Sequence, residues 1–164
     1  MPEVYVAAGS NIRPRTHLRE ALAALAAAWP GLRASRAWSN AAVGFAGDDF
    51  INLVVGFETG ESLAKVLERL KAIEEASGRE RGAKKWAPRT LDLDLLLYGD
   101  LVGQFPGATL PRADLVERAY VLGPLAELAS QHRHPVLGTT IGALWRDFDR
   151  NSHALREVSL DGED

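Results

Sequence analysis

Trp86-Ala87-Pro88-Arg89-Thr90-Leu91-Asp92-Leu93-Asp94 runs directly into Leu95-Leu96-Leu97-Tyr98. Two acids stand two residues apart inside an apolar run. In an extended strand, residues i and i+2 point to the same face. Asp92 and Asp94 therefore share one face, roughly 7 Å apart at Cα from the strand rise, and Leu91, Leu93 and Leu95 take the other. Like charges side by side on a strand repel unless something positive lies near them. Residues 79–89 supply it, with Arg79, Arg81, Lys84, Lys85 and Arg89 against the single acid Glu80. Paired carboxylates facing a basic stretch suit a magnesium ion that carries phosphates. Magnesium usually takes one or two protein carboxylates and leaves its other positions to water and phosphate. The bases would hold the remaining phosphate oxygens. The plainer alternative is a salt-bridged strand end, with Asp92 and Asp94 answering Arg89 and Lys85 at the surface. The arginine-rich stretch and Trp86 directly upstream weigh toward phosphate.

Working outward from this strand, 90–98, the helical period predicts a helix over 61–76. Its buried face is Leu63, Val66, Leu67, Leu70 and Ile73, and Gly78 is its expected C-terminal cap. Before it lie a strand over 50–57 and a glycine-rich loop over 41–49. A further strand is predicted over 32–38. At the N-terminus, 4–8 reads as a strand ended by Gly9-Ser10-Asn11. Pro14 then opens a helix whose apolar face is Leu18, Leu22, Leu25 and Trp29, stopped by Pro30-Gly31. The order strand, helix, strand, strand, helix, strand is that of an α+β, ferredoxin-like βαββαβ sandwich. Helices cover one face of such a sheet, and the other is expected to be free for a site. The remainder is expected to be a C-terminal loop and helix extension, helical over 116–130 and 140–148. Residues 1–160 read as a single domain and 161–164 as a frayed acidic tail.

Composition narrows the function. The chain has 164 residues, 46% hydrophobic and 25% charged, with a formal net charge of −3. That balance is ordinary for a globular protein and argues against a general nucleic-acid binder, so the basic stretch is a local device. There is no cysteine, which excludes disulfides, thiolate catalysis and cysteine zinc sites. The N-terminus lacks the basic start and apolar core of a signal peptide. The longest apolar run, 21–29, is too short to span a bilayer. A cytoplasmic, monomeric enzyme or binding domain is expected, without membrane or nucleic-acid partners.

Several other residues carry chemistry. Asn52 sits inside an apolar strand that disfavours it. Its amide both donates and accepts, so it can read the lactam edge of a heterocycle, with Phe50 on the same face to stack. A buried Asn bonded to backbone is the equal alternative. Glu74 falls near the buried edge of its helix, to be answered by Arg79 or Arg81 or by a nucleotide sugar hydroxyl. Trp86 can pack on a planar ligand or anchor its loop on the sheet. His132-Arg133-His134 can be a metal pair, although no further ligand cluster stands near, and a surface loop is the simpler reading. Neither glycine-rich nucleotide fingerprint is present, so phosphates must be held by side chains and metal.

Lys85 to Asp94 taken together resembles the signature of the 6-hydroxymethyl-7,8-dihydropterin pyrophosphokinases. The resemblance continues in Gly9-Ser10-Asn11, Asp49-Phe50-Ile51-Asn52, Ile73-Glu74, Gly78-Arg79 and Leu110-Pro111. It implies transfer of pyrophosphate from ATP to the hydroxymethyl group of a reduced pterin, giving AMP. It further implies that Asp92 and Asp94 hold two magnesium ions on the triphosphate, and that Arg79 and Arg89 stabilise charge on the transferred group. By the same resemblance Glu74, Arg81, Trp86, Arg89, Leu95, Thr109, Arg112 and Arg118 lie on the nucleotide side. Asn40, Ala41, Val43, Phe50, Asn52, Trp86 and Tyr120 lie on the pterin side. The chain departs from the pattern at Asn40-Ala41, where Thr-Pro is common, at Phe50 for Tyr, at Ala87 for Gly, at Tyr120 for Phe, and at Arg112-Ala113, where a His-Tyr pair is common. Two alternatives stay open: the same chemistry on another hydroxymethyl-pterin-like substrate, or a non-enzymatic ferredoxin-like RNA-binding module.

Overall fold

The structure, a computed structural model, describes residues 1–40, 49–77, 91–150 and 154–164. Strand β1 (Glu3–Ser10) leads into helix α1 (Pro14–Ala28). Short strands β2 (Arg33–Ala34) and β3 (Ala37–Asn40) precede the long β4 (Phe50–Glu58). Helix α2 (Leu63–Ala76) and strand β5 (Asp92–Tyr98) complete the first half. A hairpin of β6 (Gly103–Phe105) and β7 (Ala108–Leu110) follows, then helices α3 (Asp114–Glu117), α4 (Ala119–Ala129) and α5 (Ile141–Asp147), and β8 (Arg156–Val158). The main sheet runs β5-β1-β4-β3-β8, with β2 also on β4, and its neighbours pair antiparallel. The first four of these, in the order fourth, first, third, second, make the ferredoxin-like sheet that the element order implies.

The two helices of that unit form because their apolar residues recur at helical spacing. Leu18, Ala21 and Leu25 of α1 and Val66 and Leu70 of α2 are buried on one side of the sheet. They meet Val4, Val6 and Ala8 of β1, Leu53, Val55 and Phe57 of β4, and Leu93 and Leu95 of β5. Trp29 closes this core by stacking on Phe57 at 4.2 Å. Its indole N–H donates to Glu61 at 2.7 Å. Helix α2 starts at Ser62, whose hydroxyl accepts from the Lys65 N–H, a standard N-cap. Its C-cap is Ser77; Gly78 lies outside the described residues.

The opposite face is not left free. Helix α4 packs Val121, Leu122 and Leu125 against Tyr5, Val54, Leu96 and Leu97. The apolar residues of 119–129 need a buried seat, and the sheet face not covered by α1 and α2 provides one. A β-bulge helps. Tyr5 pairs with Leu97 and Val6 with Leu95, so Leu96 is an extra residue on β5. The bulge interrupts the alternation and turns both Leu96 and Leu97 toward α4.

Other differences from the sequence expectation have local causes. Strand β1 does not stop at Gly9 but pairs through Ser10 with Ile51. The expected strand over 32–38 is split, because Ser35 substitutes its hydroxyl for a ladder carbonyl. Ser35 N–H donates to Val54 O at 2.8 Å and Ser35 Oγ accepts from Val54 N–H at 2.9 Å. The helix expected over 116–130 breaks at Arg118, whose backbone is extended. The β6-β7 hairpin and β8 form where the sequence predicts loop. Asp164 accepts from the backbone N–H groups of Arg15 at 2.6 Å and Thr16 at 3.0 Å. These are the second and third helical positions of α1, where orphan donors seek an acceptor. Arg13, at the N-cap position, supplies no side-chain cap.

Candidate active site

Register brings the site together. Gly9 is opposite Asn52 on one side and Asp92 on the other, and Ala7 is opposite Val54 and Asp94. Directly paired residues share a face, so Asn52, Asp92 and Asp94 rise from the same surface with β1 between them. Two strand spacings separate Asn52 from Asp92, roughly 10 Å. Ala7 and Gly9 leave the floor between them low. A Cβ on Gly9 would come within 2.5 Å of Asn52 Oδ1, so the missing side chain is what lets the amide lie over the strand. The result is a cavity of ≈ 260 Å³ lined by Asn40, Phe50, Asn52, Asp92, Asp94 and Arg112, with Asp114, Tyr120 and Val121 on the helical side.

Asn52, only 8% exposed, donates its amide N–H to Asn40 Oδ1. The partner is a neighbouring strand's side chain, not the backbone considered from sequence. The bond leaves the Asn52 carbonyl facing Gly9, a fixed acceptor for a ligand N–H. At the other end Arg112 lies 3.6 Å from Asp94 and 3.3 Å from Asp114. Burial pushes the Tyr120 phenol up. Arg118 and Arg112 pull against that, and the Asp114 and Asp94 carboxylates add to it. The ring therefore enters the cavity as a neutral donor and acceptor. One end of the cavity is thus amide and aromatic, and the other is carboxylate and guanidinium.

The sequence matches the family model described as 7,8-dihydro-6-hydroxymethylpterin-pyrophosphokinase over residues 5–130. The chain belongs to this family. It is 39% identical to the 2-amino-4-hydroxy-6-hydroxymethyldihydropteridine pyrophosphokinase of Synechocystis, over 88% of this chain and 75% of that protein. It is also 39% identical to the enzyme of the same name from Pseudomonas aeruginosa, over 80% and 83%. The mitochondrial folate synthesis bifunctional protein of Pisum sativum is 31% identical over 98% of this chain but only 31% of its own length. Among solved structures, Plasmodium falciparum HPPK-DHPS superposes with a TM-score of 0.66 at 14% identity, over 89% of this chain and 43% of that one. That likeness supports the fold alone, and the chain spans less than half of that protein. Like its relatives, a pyrophosphokinase of this family is a transferase.

With the pyrophosphokinase family in view, the expected site residues divide into three groups. Asn40, Phe50, Asn52, Asp92, Asp94, Arg112 and Tyr120 all line the cavity. Arg79, Arg81, Trp86, Arg89, Ala41 and Val43 lie outside the described residues. Glu74, Leu95, Thr109 and Arg118 do not line the cavity. Leu95 is 5% exposed in the core beneath α1 and α2. Thr109 is exposed on β7 opposite Gln104, and Arg118 is exposed at the start of α4. Glu74 accepts from the Leu93 backbone N–H at 2.9 Å, behind the strand that carries the carboxylates. Ala7, Gly9, Asp114 and Val121 line the cavity without having been singled out for it. The signal for the first two was available: Ala7-Ala8-Gly9 is a run of small residues inside a strand, and such a glycine often marks close approach of a ligand.

Asp92 and Asp94 are hard oxygen donors, half-buried on one face of one cavity. No group of three or more His, Cys, Asp or Glu able to hold a metal occurs among the described residues. The pair fits a magnesium ion that completes its shell with phosphate and water, and does not fit an all-protein cage. Of the histidine pair, His134 serves structure. His134 is buried, and its Nδ1 accepts from the Val136 and Leu137 N–H groups. Burial, then the charge of His132, lowers its pKa, in keeping with an acceptor nitrogen. The RNA-module alternative needs an open, aromatic sheet face, whereas here α4 packs on that face and Asp92 and Asp94 stand in the cavity beside it.

Proposed function

We propose that the chain transfers the pyrophosphoryl group of ATP to the hydroxymethyl oxygen of 6-hydroxymethyl-7,8-dihydropterin, in a cytoplasmic step of folate biosynthesis, acting as a monomer with two magnesium ions. The observation that carries this reading is that Asn52 and Asp92 face one another across Gly9 in one cavity. The distance between them suits a flat bicyclic ring with its reactive arm directed at the carboxylates. No helix among the described residues is long and apolar enough to cross a membrane.

In this proposal the Asn52 carbonyl, held by Asn40, accepts from the pterin's ring N–H or amino group. Phe50 and Tyr120 pack on its faces. The pterin hydroxyl oxygen bonds to the β-phosphorus of ATP while the bond from that phosphorus to the α,β-bridging oxygen breaks. AMP leaves with that oxygen, and the hydroxyl proton passes to solvent. Asp92 and Asp94 would hold magnesium, which when bound neutralises phosphate charge and aligns the triphosphate. Arg112 supplies a guanidinium beside them, and Arg79 and Arg89 are assigned the transferred group by their place in the family signature. No protein nucleophile is needed, because positioning and charge neutralisation carry such transfers.

The test is to incubate the purified protein with ATP and 6-hydroxymethyl-7,8-dihydropterin and follow nucleotides and pterins over time. One AMP should appear per pterin diphosphate, with none when the pterin is omitted or EDTA is added. Release of ADP or free phosphate, or AMP formation indifferent to the pterin, would overturn the proposal.

A further inference from the structure

Arg112 occupies a position that the mechanism above does not exhaust. Its guanidinium bridges two carboxylates of different kinds. Asp94, at 3.6 Å, belongs to the proposed metal pair, and Asp114, at 3.3 Å, does not. Its backbone is fixed at both ends. Arg112 N–H donates to Leu96 O at 3.1 Å, on the strand of the metal pair, and Arg112 O accepts from Leu115 N–H at 3.1 Å. Only the side chain is at liberty to move. The three side chains are 40%, 42% and 37% exposed, and ion pairs at that exposure are weak and easily exchanged. The contact to Asp94 is also the longer of the two.

A divalent ion on Asp94 and a guanidinium at the same carboxylate repel one another. Metal arriving alone must therefore displace Arg112 from Asp94, and it brings no new anion to receive the guanidinium. When the metal arrives on a triphosphate, the displaced guanidinium has an anion to receive it, and charge-assisted pairing with phosphate is strong and geometrically matched. We infer that Arg112 is a tethered countercation. It stands in for metal at Asp94 in the nucleotide-free protein, Asp114 holds it at the mouth of the cavity, and it yields Asp94 to metal that comes with phosphate. The site is thereby biased against free metal and toward the metal–nucleotide complex. Arg112 is here a positioning residue, and the inference rests on the proposed metal role of Asp92 and Asp94.

The experiment measures binding, not turnover. Manganese(II) is titrated into nucleotide-free protein and the free ion is followed by its paramagnetic resonance. The proteins compared are the unmutated chain, Arg112→Ala, Asp114→Asn, the double variant and Asp94→Ala. Arg112→Ala should bind manganese alone about two- to fivefold more tightly, the scale of an exposed ion pair. The same variant should bind a non-hydrolysable ATP analogue with magnesium more weakly. Asp114→Asn should weaken manganese binding about twofold in the unmutated background, the lower end of that scale. In the Arg112→Ala background its effect should largely vanish, because Asp114 acts through the guanidinium. Manganese affinity that falls or stays level in Arg112→Ala overturns the inference, as does an Asp114→Asn effect of equal size in both backgrounds. If Asp94→Ala removes no manganese binding, the metal assignment of the pair fails and takes the inference with it. If Asp94→Ala removes binding and Arg112→Ala leaves it unchanged, the inference alone fails.

Discussion

The two faces of the central sheet are built from alternate residues of the same strands, yet they differ in almost every physical respect. Toward α1 and α2, Val4, Val6, Ala8, Leu53, Val55, Leu93 and Leu95 make a continuous apolar surface. Toward α4, one half is apolar, with Tyr5, Val54, Leu96 and Leu97. The other half carries Gly9, Asn52, Asp92 and Asp94 and is left as a cavity. Burying a polar group without partners is costly, so one surface cannot serve both purposes. The strand period of two separates them. One face holds the strands in place, and the other can then afford charges and a missing side chain.

Substitutions should separate the faces. The largest effect is expected on the cavity side. Asp94→Asn should lower turnover about 1000-fold, the scale of losing several kcal/mol of metal-based stabilisation. Its melting temperature should stay within about 2 °C, as for a surface substitution. Kinetics and a thermal melt on the same preparation check this, and a variant that melts much earlier would mean that the cavity carboxylates also hold the fold. Next comes the opposite face. Leu53→Ala should cost about 3 kcal/mol of stability and about 6–12 °C in melting temperature. Pterin affinity measured well below the melt should stay within about twofold.

A smaller effect tests the floor of the cavity. Gly9→Ala needs no unusual backbone, since Gly9 is not among the residues of positive φ. Its new methyl would collide with Asn52 Oδ1 and turn the amide away. Pterin affinity by calorimetry should fall about tenfold, the loss of one good hydrogen bond, and stability should scarcely change. The smallest effect lies outside both surfaces, at the start of α1. Burial opposes the shift of Asp164, but hydrogen bonds from Thr16 and Arg15 outweigh it and hold the carboxyl below its usual value of 3.8. A depressed carboxyl stabilises the fold above its unfolded pKa and loses that contribution as pH falls through the folded one. Asp164→Asn should therefore lower the melting temperature by about 2 °C at pH 7, as for a lost cap. The gap to the unmutated protein should close as the solution is taken below pH 4.

What could be read in advance followed from local rules. The alternation around Asp92 and Asp94 and the helical spacing of Leu18 to Trp29 and Leu63 to Ile73 each need only a short window, and they announce β5 with its carboxylates and the helices α1 and α2. What escaped depended on distant partners. Nothing near Asp164 in sequence announces that it will cap a helix 149 positions away. The seat of α4 depends on the Leu96 bulge, visible only once β5 is registered on β1. Glu74 was placed correctly near the edge of its helix, but the Leu93 N–H it serves belongs to a strand whose neighbours are not set by α2. Asn52 is conspicuous because its strand disfavours it, whereas nothing local marks Asn40, its partner, to which only the family resemblance points.

Among the described residues, strand β5 lies at the end of the sheet order, where a row of unpaired backbone groups would ordinarily invite another chain to add itself. On its outward side the Leu93 N–H is taken by the Glu74 carboxylate and the Leu96 carbonyl by the Arg112 N–H. Between those points stands Asp94, and charges on an edge strand oppose stacking of one copy on the next. The acids and backbone contacts that shape the cavity are therefore also barriers to polymerisation. Removing them for mechanistic study puts the solubility of the protein, and not its catalysis alone, at stake.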